Sequence, residues 1–96
     1  MPNISARRES LEHRRKRLRY RCAHRGTKEL DLLLGSFAER HLDGFDGAQL
    51  RRLEALLEVP EPLIHAWLVA GVPPSPGYES DVLRLLLAHR LNVQVG

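Results

Sequence analysis

The residues able to do chemistry are five histidines and one cysteine, and their spacing assembles no catalytic or metal site. The histidines are His13, His24, His41, His65 and His89. No two of them lie four residues apart, which excludes a two-histidine zinc helix. The chain also has no nucleophile elbow, phosphate loop or dinucleotide-binding fingerprint. We therefore predict a binding protein, not an enzyme, with no metal and no cofactor of its own.

The cysteine count indicates a cellular compartment. Cys22 is the only cysteine, so the chain forms no internal disulfide. A lone thiol is typical of proteins in a reducing compartment. Cys22 lies beside Arg21, which would favour a reactive thiol, but a single cysteine within a helix is more often a small packing residue. We interpret Cys22 as a packing residue.

The segment 25–29, Arg-Gly-Thr-Lys-Glu, divides the chain in both pattern and charge. Residues 1–28 hold ten Lys or Arg against two Glu, a net charge of +8, and residues 29–96 hold five Arg against ten acids, a net charge of −5. A glycine after a helix adopts positive φ without a Cβ clash and helps to satisfy the last carbonyls. Thr27 can cap the next helix. The residues alone therefore predict a junction between two helices here.

Apolar residues recur at helical spacing in five stretches and predict an all-α, compact five-helix bundle. The helices are expected at residues 6–23, 27–42, 46–59, 61–71 and 75–90. Ser5 and Ser75 are the predicted caps of the first and last helices, and Asp46 with Gln49 is a capping-box pattern. Trp67 is predicted to be core, on an inner stripe that ends at Gly71.

The domain organisation follows from where the apolar residues stop. Residues 1–10 are predicted to be a flexible basic arm, because they carry too little apolar surface to offset the entropy of ordering. Residues 11–90 are predicted to form a single helical-bundle domain, and residues 91–96 a disordered tail. No apolar run approaches the roughly 18–20 residues that span a bilayer, so no membrane insertion is expected.

The basic first helix allows an alternative function, a small nucleic-acid-binding module that uses the arginines of residues 7–21. The charge division weakens it, since the remainder of the chain is acidic. The sequence also lacks aromatic residues for base stacking and a recognisable reading helix. A small enzyme is a third, weaker alternative, because no pair of titratable groups has a spacing suited to general acid–base catalysis.

The segment 25–29, continued by Leu30 and Asp31, resembles the Arg-Gly-x-x-Glu signature of the succinate dehydrogenase flavinylation factors, known as SdhE in bacteria and as succinate dehydrogenase assembly factor 2 in mitochondria. The resemblance covers residues 17–90. It continues through Phe-Ala-Glu-Arg at 37–40, the leucine-rich segment 50–58, Pro62, and Ala-Trp-Leu at 66–68.

The resemblance implies a five-helix assembly factor and not an enzyme. It implies binding to the flavoprotein subunit of succinate dehydrogenase, and in bacteria also of fumarate reductase, with covalent attachment of FAD to a histidine of that subunit. It implies partner-binding residues at Arg25, Gly26 and Glu29, to which we add their neighbours Lys28 and Asp31. We expect no nucleic-acid partner, a monomer when free, and a location in the bacterial cytoplasm or the mitochondrial matrix. Whether the chain itself binds FAD stays open.

Overall fold

The computed structural model describes residues 10–93, with side chains described through Leu91. This part of the chain contains five α-helices and no strand, so the predicted all-α bundle is confirmed. The helices are α1 (Leu11–Ala23), α2 (Lys28–His41), α3 (Gly47–Leu57), α4 (Glu61–Leu68) and α5 (Asp81–Val93). Short 3-10 turns at Leu42–Gly44 and Pro76–Tyr78 precede α3 and α5. The predicted arm, apart from Ser10, lies outside the described residues.

Helix α1 begins later than its sequence predicts. Ser10 is extended (φ −67°, ψ 158°), and its side chain accepts a hydrogen bond from the His13 amide at 3.1 Å. The predicted start of this helix at residue 6 was wrong, because Ser10 is not helical and α1 begins at Leu11. The physical reason is that Ser10 is itself a competent cap, placed immediately before the first leucine that can pack. Ser5 lies outside the described residues.

Helix α2 is the centre of the core. Its predicted apolar stripe is confirmed, because Leu30, Leu34, Phe37 and Ala38 are all fully buried. Helix α1 packs along α2 and also contacts α3, while α5 contacts both α2 and α3. At the crossing of α1 and α2, a Cβ placed on Gly35 would lie 3.5 Å from the Ala23 Cα. The glycine that interrupts the stripe therefore sits where another helix passes closely.

Helix α3 has the capping box that its sequence predicts. The Asp46 side chain accepts from the Gln49 amide at 2.9 Å, and the Gln49 side chain accepts from the Asp46 amide at 3.0 Å. These two bonds satisfy amides that a helix start would otherwise leave without partners. The four leucines predicted to face inward are buried: Leu50, Leu53, Leu56 and Leu57.

Helix α4 buries Trp67, which is only 2% exposed, and this confirms it as a core residue. The Trp67 ring packs on Tyr78, with 5.0 Å between the ring centroids. Gly71 was wrongly assigned to the inner stripe, because it is exposed. It lies beyond the end of α4 with φ +78°, a conformation that terminates a helix and favours glycine.

Helix α5 begins later than predicted and extends further. Its start is capped by Ser80, whose side chain accepts from the Leu83 amide at 3.0 Å. The predicted start at Ser75 was wrong: Pro76–Tyr78 forms only a 3-10 turn, and Ser75 makes no side-chain cap. The helix continues to Val93, so residues 91–93 of the predicted tail are helical, and residues 94–96 lie outside the described part. Within residues 10–93, no helix combines the length and hydrophobicity needed to cross a bilayer.

Candidate functional site

The turn between α1 and α2 consists of residues 24–27 and contains the first half of the Arg-Gly-x-x-Glu signature. Gly26 adopts φ +115°, which confirms the predicted left-handed conformation. A Cβ at Gly26 would meet nothing within 4 Å, so the backbone conformation and not crowding requires glycine. Gly26 does not satisfy a carbonyl of α1, contrary to prediction. The helix is instead closed by the His24 amide, which donates to the Arg21 carbonyl at 3.4 Å.

Two side chains from the start of α2 organise this turn. The Thr27 hydroxyl accepts from the Leu30 amide at 3.3 Å, which confirms Thr27 as the helix cap. The Asp31 Oδ1 atom accepts from two backbone amides of the turn, Arg25 at 2.5 Å and Gly26 at 3.1 Å. Asp31 is therefore turned toward the protein backbone, whereas the sequence suggested that it faces a partner.

Arg25 is half-buried and reaches across to the end of α3. Its Nη1 atom donates to the Leu57 carbonyl at 2.8 Å. That carbonyl is among the last four of α3, which have no partner within their own helix, and a cation there also suits the helix dipole. Glu29 makes no hydrogen bond or ion pair with Arg25. The Nε atom of Arg25 is buried and has no hydrogen-bond partner in the described part of the chain.

Lys28 and Glu29 lie on the outer side of α2, and both are exposed. Neither makes an ion pair or a side-chain hydrogen bond with any residue in the range that the structure describes. Leu32 follows one helical turn later and is 64% exposed. Residues three and four apart are neighbours on a helix surface, so Leu32 lies beside both charges. We call Gly26, Lys28, Glu29 and Leu32 the outer surface of the turn.

Leu32 and the inward role of Asp31 were both missed by sequence reasoning. A signal for Leu32 was available, because this leucine falls outside the apolar stripe of α2. Asp31 gave no comparable signal, since an acid in the first turn of a helix is already explained by the helix dipole.

Much of the basic charge of α1 is paired with other groups of the chain. Arg17 pairs with Glu54 at 2.6 Å, and Arg21 pairs with Glu58 at 2.9 Å, which joins α1 to α3. A third ion pair, between Arg19 and Asp43 at 2.9 Å, joins α1 to the 3-10 turn at Leu42–Gly44. Arg15 donates to the carbonyls of Leu42 and Phe45 at 3.2 and 2.8 Å. The basic helix and the acidic remainder of the chain are therefore complementary parts of one fold.

Two histidines that are distant in sequence lie close together, with His89 buried and His41 half-buried. The His41 and His89 rings lie 6.2 Å apart, and the His89 Nε2 atom is 2.8 Å from the Ser36 hydroxyl. Burial is the main cause that lowers the pKa of both histidines, and the neighbouring Arg40 lowers both pKa values further. No group of three metal-ligating side chains occurs among the residues with described positions. This pair is most simply a packed aromatic cluster with Phe37.

Cys22 lies in the core and is fully buried. Burial raises the pKa of its thiol to about 11, and this outweighs the opposing charges of Arg25 and Arg21. The thiol is the weakly nucleophilic form of cysteine, so the interpretation of Cys22 as a packing residue agrees with its surroundings.

Comparison with known proteins gives the turn a family context. Residues 16–90 match the family model described as "Flavinator of succinate dehydrogenase". Over 79 residues, the chain is 35% identical to the FAD assembly factor SdhE of Acetobacter pasteurianus, covering 82% of this chain and 72% of that protein. No solved structure matches the chain.

Mitochondrial proteins are similarly related. The chain is 37% identical over 86 residues to succinate dehydrogenase assembly factor 2 of Dictyostelium discoideum, covering 90% of this chain and 61% of that protein. It is 39% identical over 82 residues to the protein of the same name from Debaryomyces hansenii, covering 81% of this chain and 58% of that protein. It therefore spans less than two thirds of these mitochondrial relatives. Because the family match includes the whole turn and most of the five helices, the chain belongs to the family of succinate dehydrogenase flavinators.

Proposed function

We propose that this chain is an assembly factor that binds the flavoprotein subunit of succinate dehydrogenase and promotes covalent attachment of FAD to a histidine of that subunit. The observation that carries the proposal is the family match over residues 16–90, which includes the turn at Arg25–Thr27 and the start of α2. The related protein of Acetobacter pasteurianus is named FAD assembly factor SdhE. We extend the proposal to the flavoprotein subunit of fumarate reductase in a bacterial setting.

The outer surface of the turn is the proposed docking site. Lys28 and Glu29 offer one charge of each sign, and neither charge is used by another described residue. Gly26 presents a bare Cα with open space around it, so a partner backbone can approach closely. Leu32 adds an exposed apolar side chain, and the fully buried centre of an interface is more apolar than the rest of the protein surface. Two charged side chains, an unobstructed stretch of backbone and an exposed apolar side chain thus lie on neighbouring residues.

In the proposed mechanism the chain helps to position the reacting groups of the flavoprotein and takes no part in the chemical step. By clamping the flavoprotein, it would favour a conformation in which the acceptor histidine and the flavin methyl carbon are aligned. Holding two reacting groups in productive geometry is sufficient for large accelerations, because the entropy of bringing them together has already been lost. We assign no residue of this chain a chemical role at the flavin.

The first experiment is complementation. A strain that lacks its own factor is supplied with this chain, and covalent flavin on the flavoprotein subunit is read by in-gel fluorescence, together with co-purification of the two proteins. We expect wild type to restore fluorescence and Glu29→Ala to lose most of it. The matched control is Glu39→Ala, an exposed acid elsewhere on the same helix. Absence of both fluorescence and co-purification with wild type would contradict the proposal.

The nucleic-acid alternative is disfavoured by the ion pairs of α1, since Arg17, Arg19 and Arg21 are directed to acids of the chain itself. A salt series distinguishes the two functions. Binding to duplex DNA weakens with a log–log slope near −0.9 for each neutralised phosphate. Docking through a surface with an apolar centre should depend less on salt. We further propose that the free chain is monomeric and acts in the bacterial cytoplasm or mitochondrial matrix.

A further inference from the structure

The two backbone amides of the turn that could have met a partner are already occupied. Arg25 and Gly26 both donate to the same oxygen, Oδ1 of Asp31. Asp31 stands in the first turn of α2, where its own amide donates to the Thr27 carbonyl at 2.9 Å. Its backbone is therefore fixed by the helix, and its carboxylate fixes the turn that precedes the helix. An acid at this position is also favoured by the dipole of α2.

A hydrogen bond to α3 also fixes the turn. The Arg25 side chain donates to the Leu57 carbonyl at the end of α3, while its amide donates to Asp31 on α2. Arg25 thus bridges two helices through atoms that face the protein interior. Gly26 follows directly, in a left-handed conformation that leaves its outer side open. Only Gly26, Lys28 and Glu29 of the signature segment are exposed.

We infer that Asp31 is a positioning residue, which fixes the shape of the turn through the amides of Arg25 and Gly26 and makes no contact with the partner. The inference rests on the proposed function, because it concerns the same docking site. It divides the segment into an inner part, Arg25 and Asp31, and an outer part, Gly26, Lys28 and Glu29. The chemistry required at residue 31 is an acceptor oxygen at the Oδ1 position, and its negative charge is secondary.

Two substitutions separate positioning from contact. Asp31→Asn keeps an acceptor oxygen on a side chain of the same shape, whereas Asp31→Ala removes it. In the free chain, hydrogen-exchange rates of the Arg25 and Gly26 amides are measured by NMR. We expect rates close to wild type in Asp31→Asn and about tenfold faster exchange in Asp31→Ala, since an amide without its acceptor is open to solvent. Unchanged exchange in Asp31→Ala would overturn the inference.

The second readout is covalent flavin on the flavoprotein subunit. We expect Asp31→Asn to retain at least half of the wild-type fluorescence and Asp31→Ala to fall to the level of Glu29→Ala. If Asp31→Asn loses as much fluorescence as Asp31→Ala while its amides stay protected, the charge contacts the partner and the inference is wrong. A circular dichroism spectrum checks that each variant is folded. If wild type gives no flavinylation, the proposed function fails, and the exchange rates still decide whether Asp31 holds the turn.

Discussion

At the scale of single residues, Arg25 contributes to the fold as well as to the candidate site. Its bond to the Leu57 carbonyl satisfies a group at the end of α3. Removing a charged donor from such a bond typically costs about 1.5–3 kcal/mol. If Arg25 were fully exposed, its truncation would be expected to change stability by under about 0.5 kcal/mol. Its half-buried position changes that expectation.

We predict that Arg25→Ala lowers the melting temperature by several degrees, since about 1 kcal/mol shifts a domain of this size by roughly 4–8 °C. The measurement is thermal unfolding followed by circular dichroism. Lys28→Ala is the control, because Lys28 is exposed and has no described partner, and its melt should match wild type. An unchanged melt for Arg25→Ala would mean that the bond to Leu57 contributes nothing to stability. Loss of flavinylation in Arg25→Ala must therefore be interpreted together with its melt.

Leu32 provides a residue-scale test of the docking surface that is independent of charge. It is 64% exposed, and Leu91 on α5 is 65% exposed, so the two leucines form a matched pair. We predict that Leu32→Ala weakens binding to the flavoprotein subunit by about 5- to 30-fold, the range of about 1–2 kcal/mol expected for losing a buried apolar contact. Leu91→Ala should bind as wild type does. Equal affinities for the two variants would place Leu32 outside the interface.

At the scale of secondary structure, α4 depends on tertiary packing. It has only eight residues, and isolated helices of that length are not stable in water. Trp67 anchors the helix in the core and is 2% exposed. We predict that Trp67→Ala destabilises the chain by about 3–5 kcal/mol. Leu63→Ala, on the exposed side of the same helix, is the control. A denaturant titration measures both, and comparable midpoints would contradict the assignment of Trp67 to the core.

The crossing of α1 and α2 can be strengthened. A Cβ on Gly35 would lie 3.5 Å from the Ala23 Cα and 3.6 Å from its Cβ, distances of ordinary van der Waals contact. Glycine within a helix costs up to about 1 kcal/mol relative to alanine. We predict that Gly35→Ala raises the melting temperature by a few degrees. Gly26→Ala should have the opposite effect, because its positive φ disfavours any side chain. A lower melt for Gly35→Ala would show that the helices cannot tolerate the added methyl group.

At the scale of the whole molecule, the pair His41 and His89 links stability to pH. Burial lowers the pKa of both histidines in the folded chain below their ordinary value of about 6.5. The unfolded chain therefore binds more protons as the pH falls through this range. The stabilisation is complete above about pH 6.5 and is lost progressively as the pH decreases toward the folded-state pKa values.

We predict a melting temperature that falls steadily from pH 7.5 to pH 5.5, a range above the titration of ordinary carboxylates. His41→Gln should reduce the slope, because it removes one of the two imidazoles whose pKa is lowered. The control is His13→Gln, which removes an exposed imidazole from α1. A flat profile for wild type would mean that the pKa values of these histidines are not lowered in the folded chain.

Local signals in the sequence determined much of the fold. The capping residues Thr27 and Asp46 bond to amides only three residues away, so their roles can be deduced from adjacent residues. The apolar stripe of α2 is equally local, because helical periodicity brings its members to one face. The Arg-Gly-x-x-Glu signature identified the family, and the positive φ of Gly26 followed from its place after a helix.

Other features were decided only by tertiary structure. Arg25 bonds to Leu57, which is 32 residues away, and His89 contacts Ser36, which is 53 residues away. Such partners depend on how the helices pack, and a periodic pattern contains no information about which arginine meets which carbonyl. The predicted start of α5 at Ser75 was likewise wrong, and the Ser80 side chain caps the helix instead. The sequence therefore determined the helices and the family, whereas packing decided which side chains of the signature face inward and which remain available to a partner.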